Sequence, residues 1–142
     1  MLHAYQVVYT VAVILTCGFT YWAGGRAERT GLIIVVSASL ASYPATVLFP
    51  TRWSQEMLGD VAIDSLTTIA FFILMARSRA FWPIWSFGFC LAMMTAHAMR
   101  WMQHVVPAWS YYDTTSLWAY PVMGSIVAGA VYRQWGKSTA PY

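Results

Sequence analysis

The sequence predicts an all-α integral membrane protein, folded as a bundle of five transmembrane helices. Hydrophobic residues make up 59% of the chain and charged residues only 9%, whereas a soluble domain carries about a quarter charged residues. Apolar segments alternate with short loops that contain glycine, proline or arginine. Because a membrane span takes about 20 residues, five spans use most of the 142 residues and leave one domain over residues 1–142. This composition excludes an ordinary soluble domain and a disordered chain.

Turn residues and prolines mark the ends of the five predicted spans. Gly24 and Gly25 follow the first span, and Pro50 follows the second. Residues 77–79 form a turn so short that spans three and four must be antiparallel neighbours. Pro107 ends the fourth span. The predicted spans cover residues 4–23, 30–49, 57–76, 80–106 and 113–132.

Basic residues are divided unequally between the two sides of this topology. The first loop, the third loop and the C-terminal tail share one side, which holds six of the eight Lys and Arg residues. Since positively charged loops stay in the cytoplasm, we predict a cytoplasmic C-terminus and an outer N-terminus. The basic residues form no continuous run, so nucleic acid is not an expected partner. The six residues are Arg26, Arg29, Arg77, Arg79, Arg133 and Lys137, and the one acid on their side is Glu28.

Ionisable residues in spans three and four lie on helix faces that the hairpin brings together. Asp60 and Asp64 are four residues apart and therefore share one face of span three. At 1.5 Å of rise per residue, we predict two acid–base pairs at two depths, Asp64 with His97 and Asp60 with Arg100. Two further candidate residues at the outer surface are His104 and Asp113. The facing stripe of span four consists of Ser86, Cys90, Met93, His97, Arg100 and His104.

Two interpretations of these pairs stay open. In the first they are structural, because paired polar side chains hold membrane helices together. In the second they bind a proton or an ion, since an ionisable residue inside a membrane is a functional candidate by default. A lone charge at the bilayer centre costs at least ~2.5–3.5 kcal/mol, so pairing is expected under both interpretations.

No motif in the sequence predicts a cofactor, a metal ion or a catalytic residue. His97 and His104 lie about 10 Å apart along one helix, which is too far for a single metal ion. A metal ion, or a b-type haem with His97 as an axial ligand, is kept only as an alternative, because no other span supplies a second histidine. The glycines lack a phosphate-binding pattern, and no serine is placed as a nucleophile. A non-enzymatic protein is therefore favoured, with enzymatic activity left open.

Small residues in span five recur at a spacing that lets membrane helices pack closely. Gly124 with Ala128 forms one such step, and Ser125 with Gly129 forms a second. Because these steps allow two backbones to approach, we predict a helix-contact face at the four residues. Apart from the lipid bilayer, the expected partner is a second copy of the chain or another membrane subunit.

Spans three and four also carry a resemblance to known proteins. The stretch Arg77–Phe89, which reads RSRAFWPIWSFGF, lies between Asp64 and His97. This arrangement resembles short uncharacterised polytopic inner-membrane proteins of alphaproteobacteria, and the likeness covers spans three and four only. The resemblance implies a bacterial inner membrane and brings no known activity with it.

These features predict a non-enzymatic polytopic membrane protein, either self-associating or an accessory subunit of a membrane complex, with a buried polar site between spans three and four. The absence of a predicted soluble domain favours this class. The alternative is a small proton- or ion-conducting channel or carrier that uses Asp64 with His97 and Asp60 with Arg100.

Overall fold

Helices are the only regular secondary structure in the described part of the chain. The computed structural model describes residues 2–48, 53–102 and 117–138. Within those ranges there are five α-helices and no strand, so the all-α prediction is confirmed. The helices are α1 (Leu2–Ala23), α2 (Arg26–Leu48), α3 (Trp53–Arg77), α4 (Trp82–Met102) and α5 (Ala119–Ser138).

The last helix is displaced along the chain from the predicted fifth span. We predicted residues 113–132, but α5 runs from Ala119 to Ser138. Pro121 therefore lies in the first turn of α5. A backbone N–H in that turn has no acceptor within the helix, so a proline there costs no helical hydrogen bond. The helix continues through Arg133, whose Nη1 lies 3.8 Å from Oε2 of Glu28 in α2.

Each helix packs against its neighbour along the chain, and α5 closes the bundle. The hairpin predicted for spans three and four is present, since α3 packs along α4. Helix α2 packs against both α1 and α3, while α5 contacts α1, α2 and α4. This arrangement brings the α1–α2 turn, the α3–α4 turn and the C-terminal part of α5 to one end of the bundle, which we call the basic end.

The core of the bundle is built around Trp82, the first residue of α4. Its side chain is 1% exposed, and its ring meets Phe71 edge-on with centroids 6.4 Å apart. Gly31 of α2 and Gly129 of α5 both face this indole, and a Cβ on either glycine would collide with the ring. The two glycines therefore allow α2 and α5 to close on Trp82.

By length and composition, one of the described helices qualifies as a membrane span, so these criteria do not support the five predicted crossings. Among the described residues, Gly59–Arg77 in α3 is the one stretch long and apolar enough to span a bilayer. Val7–Ala23, the part of α1 whose side chains are described, is also apolar but shorter than this criterion requires.

Candidate functional site

The predicted contact between Asp64 and His97 is present between α3 and α4. His97 Nε2 lies 2.8 Å from Asp64 Oδ2, the distance of a hydrogen bond from the ring N–H to the carboxylate. The His97 side chain is 5% exposed, whereas that of Asp64 is 24% exposed. The pair thus has a shielded partner and a partner that remains reachable from outside the bundle.

Hydroxyl groups near this pair bond to the backbone of their own helix. Thr68 Oγ1 donates to the carbonyl oxygen of Asp64 at 2.7 Å. Ser65 Oγ donates to the carbonyl oxygen of Val61 at 2.6 Å and lies 3.5 Å from the sulfur of Met94. These hydroxyls are satisfied where they stand, and Ser65 adds a polar contact from α3 to α4.

The other predicted members of this site are described only in part. Asp60 is half-buried on α3, one turn before Asp64. Arg100 belongs to α4, but its side chain lies outside the described residues, so its pairing with Asp60 stays a prediction. His104 and Asp113 also lie outside the described residues.

A second polar contact joins α4 to α5 nearer the basic end. The Oγ atoms of Ser86 and Ser125 are 2.5 Å apart, and both side chains are buried. Ser125 Oγ donates its proton to the carbonyl oxygen of Val122 at 2.7 Å. Ser86 is therefore the donor to Ser125, and both hydroxyls are satisfied.

The small residues of α5 form two faces, which corrects the single contact face predicted from the sequence. Ser125 and Gly129 face inward and pack against α4. Gly124 and Ala128 face outward. The outward pair lines a shallow apolar recess of about 340 Å³ between α4 and α5, together with aromatic side chains of α4 that include Trp85.

Sequence reasoning missed the most enclosed carboxylate among the described residues, Glu28, whose exposure is 3%. Its Oε2 accepts the backbone N–H of Gly25 at 2.8 Å. Its Oε1 accepts the indole N–H of Trp82 at 2.9 Å. Arg133 of α5 places Nη1 3.8 Å from Oε2. One carboxylate therefore connects the α1–α2 turn with α4 and α5, and we call this group the Glu28 junction.

The local sequence explains why Glu28 turns inward. Gly25 precedes α2, and Glu28 is the third residue of that helix, the position from which a glutamate reaches back to the first free N–H in a capping box. Gly25 has no Cβ, and the guanidinium of Arg133 occupies the space that a Cβ would need. The available signal was a glutamate three residues after Gly25, but the predicted second span began only at residue 30 and left Glu28 in the first loop.

No protein family, curated protein or solved structure matches this chain. Among the described side chains, no group of three or more His, Cys, Asp or Glu residues is close enough to hold a metal ion. The function must therefore be argued from the contacts above.

Proposed function

We propose that the chain is a multi-pass protein of a bacterial inner membrane, crossing it five times with the basic end in the cytoplasm. We further propose that it is a non-enzymatic subunit that self-associates or joins other membrane subunits. The observation that carries this proposal is the reversed distribution of side chains. Large apolar residues point outward, such as Leu15, Leu40 and Leu66 at 67–68% exposure, while Asp64, His97 and Glu28 are paired inside.

Outward apolar residues occur on every helix of the bundle. An exposed apolar surface of this extent is costly in water and marks contact with lipid or another protein. Lipid chains would cover it at no such cost, which favours a bilayer as the surrounding solvent. Representative residues, one from each helix, are Leu15, Ile33, Leu66, Ile84 and Tyr132.

The hydroxyl-bearing residues of α2 and α4 are compatible with membrane crossings by these helices. Ser39 and Ser42 of α2 donate to carbonyl oxygens four residues earlier, at 2.9 and 3.0 Å. Thr95 of α4 does the same at 2.9 Å. A hydroxyl bonded in this way needs no water. The hydroxyls of α2 and α4 can therefore lie inside a membrane without leaving a polar group unpaired.

Reporter fusions test the topology. A fusion after Tyr142 should report the cytoplasm, and a fusion in the loop around Arg52 should report the outside, because the positive-inside rule places the basic end inward. If both fusions report the same side, five crossings are excluded.

Assembly is supported by the recess between α4 and α5. Gly124 and Ala128 leave a flat exposed strip there, and small residues let a second helix approach closely in lipid. We expect the protein to run larger than its 16.0 kDa protomer in mild detergent. Gly124→Leu should reduce assembly without unfolding the bundle, since a Cβ at Gly124 meets nothing within 4 Å.

The matched control for this variant is Gly18→Leu. Gly18 of α1 is also exposed, and a Cβ there also meets nothing within 4 Å, but it does not line the recess. Assembly should survive Gly18→Leu. A wild-type protein that stays monomeric at every detergent dilution removes the assembly proposal.

One observation favours the alternative, a proton or ion carrier. Asp64 is 24% exposed while its partner is nearly enclosed, so a proton or ion can reach the pair. Against through-conduction, the helices place Phe71 and Cys90, both buried in the apolar core, between this pair and the basic end. Vesicles containing the protein and a pH-sensitive dye provide the test. The carrier requires flux above that of empty vesicles, and Asp64→Asn must abolish it.

A further inference from the structure

We infer that the α1–α2 turn binds the headgroup of an anionic phospholipid. The site consists of Arg26 and Arg29 at the start of α2, Arg133 of α5, and the aromatic residues Tyr21 and Trp22 at the end of α1; we call it the basic turn. The inference rests on the proposed membrane location, but the proposed subunit role does not require it.

The outward-facing charge of the basic turn is entirely positive. Arg26 and Arg29 are exposed, and the Arg133 side chain is 46% exposed. Glu28, the acid of this turn, directs both carboxylate oxygens inward, to Gly25, Trp82 and Arg133. The phosphate of an approaching lipid therefore meets guanidinium groups and no exposed carboxylate from residues 21–29.

Two of these arginines are already held in place. Arg29 Nη2 donates to the carbonyl oxygen of Tyr21 at 3.1 Å, and its guanidinium lies 5.2 Å from the centroid of the Tyr21 ring. Arg133 lies against Gly25, with Nη1 3.8 Å from the Glu28 carboxylate. An ordered guanidinium loses less conformational freedom when it binds a phosphate, and it can bind two phosphate oxygens at once.

Exposed aromatic residues put the basic turn at the depth of lipid headgroups. Tyr21 and Trp22 are 72% and 80% exposed, and tryptophan and tyrosine concentrate at the membrane–water interface. Gln134 Nε2 donates to the carbonyl oxygen of Ala23 at 3.0 Å, which fixes α5 beside this turn. The charge selects an anionic lipid over a zwitterionic one. It also disfavours a second copy at this surface, since two basic turns repel each other.

The α3–α4 turn provides a matched control. Arg77 and Arg79 are also exposed at the basic end, so removing both changes the net charge as much as removing Arg26 and Arg29. A general attraction to an anionic membrane would weaken equally in the two double variants. If the lipid binds at the basic turn, its affinity falls only in the variant that lacks Arg26 and Arg29.

The experiment counts lipids retained by the full chain in native mass spectrometry, from detergent micelles holding equal amounts of phosphatidylglycerol and phosphatidylcholine. Wild type should retain phosphatidylglycerol severalfold better. An arginine at an anionic surface contributes about fivefold in affinity. Arg26→Gln with Arg29→Gln should therefore bring the retention of the two lipids close to equal, and Arg77→Gln with Arg79→Gln should leave most of the preference.

Three results would overturn the inference. They are equal retention of the two lipids, equal losses in the two double variants, and displacement of the lipid by inorganic phosphate at the concentration of the lipid. Helicity and unfolding temperature should match wild type in both double variants, because neither removes a buried side chain. The reporter fusions and the detergent mass test the proposed function separately, so failure here leaves that result unchanged.

Discussion

Asp64 and Glu28 are both acidic residues on the inner side of a helix, but their charges are compensated in different ways. Asp64 contacts one side chain, His97, across a hairpin of two consecutive helices. Glu28 accepts two N–H groups and faces an arginine, and these three partners come from the α1–α2 turn, α4 and α5. The first contact joins two helices, whereas the second joins three parts of the chain.

This difference has consequences for stability and for function. The Glu28 junction fixes Trp82, which also packs on Phe71, Gly31 and Gly129. A change at Glu28 therefore reaches the packing of four helices. Asp64 is more exposed than Glu28 and contacts fewer groups. The bundle should therefore tolerate a substitution at Asp64 better than one at Glu28. A more exposed carboxylate whose replacement the bundle tolerates is better suited to contact a ligand, which favours Asp64 over Glu28 as the functional candidate.

The largest expected effect comes from Glu28→Ala. The variant leaves the indole N–H of Trp82 and the N–H of Gly25 without their acceptor, and it leaves Arg133 without its counter-charge. Breaking a buried charged pair costs about 3–5 kcal/mol, and we expect about 3 kcal/mol because Arg133 is half exposed. The measurement is the free energy of unfolding in detergent micelles.

Glu28→Gln is the matched control for that variant. The amide oxygen of the introduced glutamine can still accept one N–H group. The free energy of unfolding should therefore fall by less than in Glu28→Ala, by about 1–2 kcal/mol. If the free energy of unfolding of Glu28→Ala lies within about 1 kcal/mol of the wild-type value, the Glu28 junction does not stabilise the fold and the contrast with Asp64 fails.

Gly129→Ala should have the next largest effect, because it attacks the same junction through Trp82. A Cβ at Gly129 would overlap the indole, and overpacking a core costs about 1–3 kcal/mol. Gly124→Ala is the control, five residues earlier on the outward face of α5, where a Cβ meets nothing within 4 Å. Equal unfolding free energies for the two variants would contradict the division of α5 into two faces.

Asp64→Ala should cost less than either change at the Glu28 junction. It removes the carboxylate that His97 Nε2 contacts, and polar contacts between membrane helices contribute about 0.6 kcal/mol on average, with model-peptide values of about 1–2 kcal/mol. The double variant Asp64→Asn with His97→Gln should be milder, since two neutral amides can replace the pair. A cost for Asp64→Ala above that of Glu28→Ala would reverse the comparison.

The part of the fold that could be predicted is the part encoded locally. Turn residues and hydropathy located the helices, and the short α3–α4 turn with regular spacing brought Asp64 to His97. The single contact face on α5 was avoidable, because Gly124 and Gly129 are about 140° apart around a helix. They cannot face the same neighbour.

Of the contacts that form the Glu28 junction, only the one with Gly25 could be predicted from the sequence. Glutamate at the third position of a helix is a capping signal, and it accounts for the bond to Gly25. Trp82 is 54 residues away in the chain, and its position depends on how α2, α4 and α5 pack. No spacing within one sequence encodes that packing.

The smallest expected effect is that of Thr20→Val, next to the same junction. Thr20 lies in the last turn of α1, and its Cγ2 and the Glu28 Cβ are both 3.0 Å from the place of a Cβ on Gly24. Within the described part of the chain, the buried Oγ1 of Thr20 has no hydrogen-bond partner. Valine has nearly the same shape and removes a buried hydroxyl that gains nothing, so the free energy of unfolding should stay equal or rise by about 1 kcal/mol. Thr68→Val, at another buried threonine, provides the comparison, because Thr68 Oγ1 donates to the carbonyl oxygen of Asp64 at 2.7 Å. If Thr20→Val lowers the free energy of unfolding as much as Thr68→Val or more, the Thr20 hydroxyl has a partner in the membrane and the Glu28 junction extends to α1.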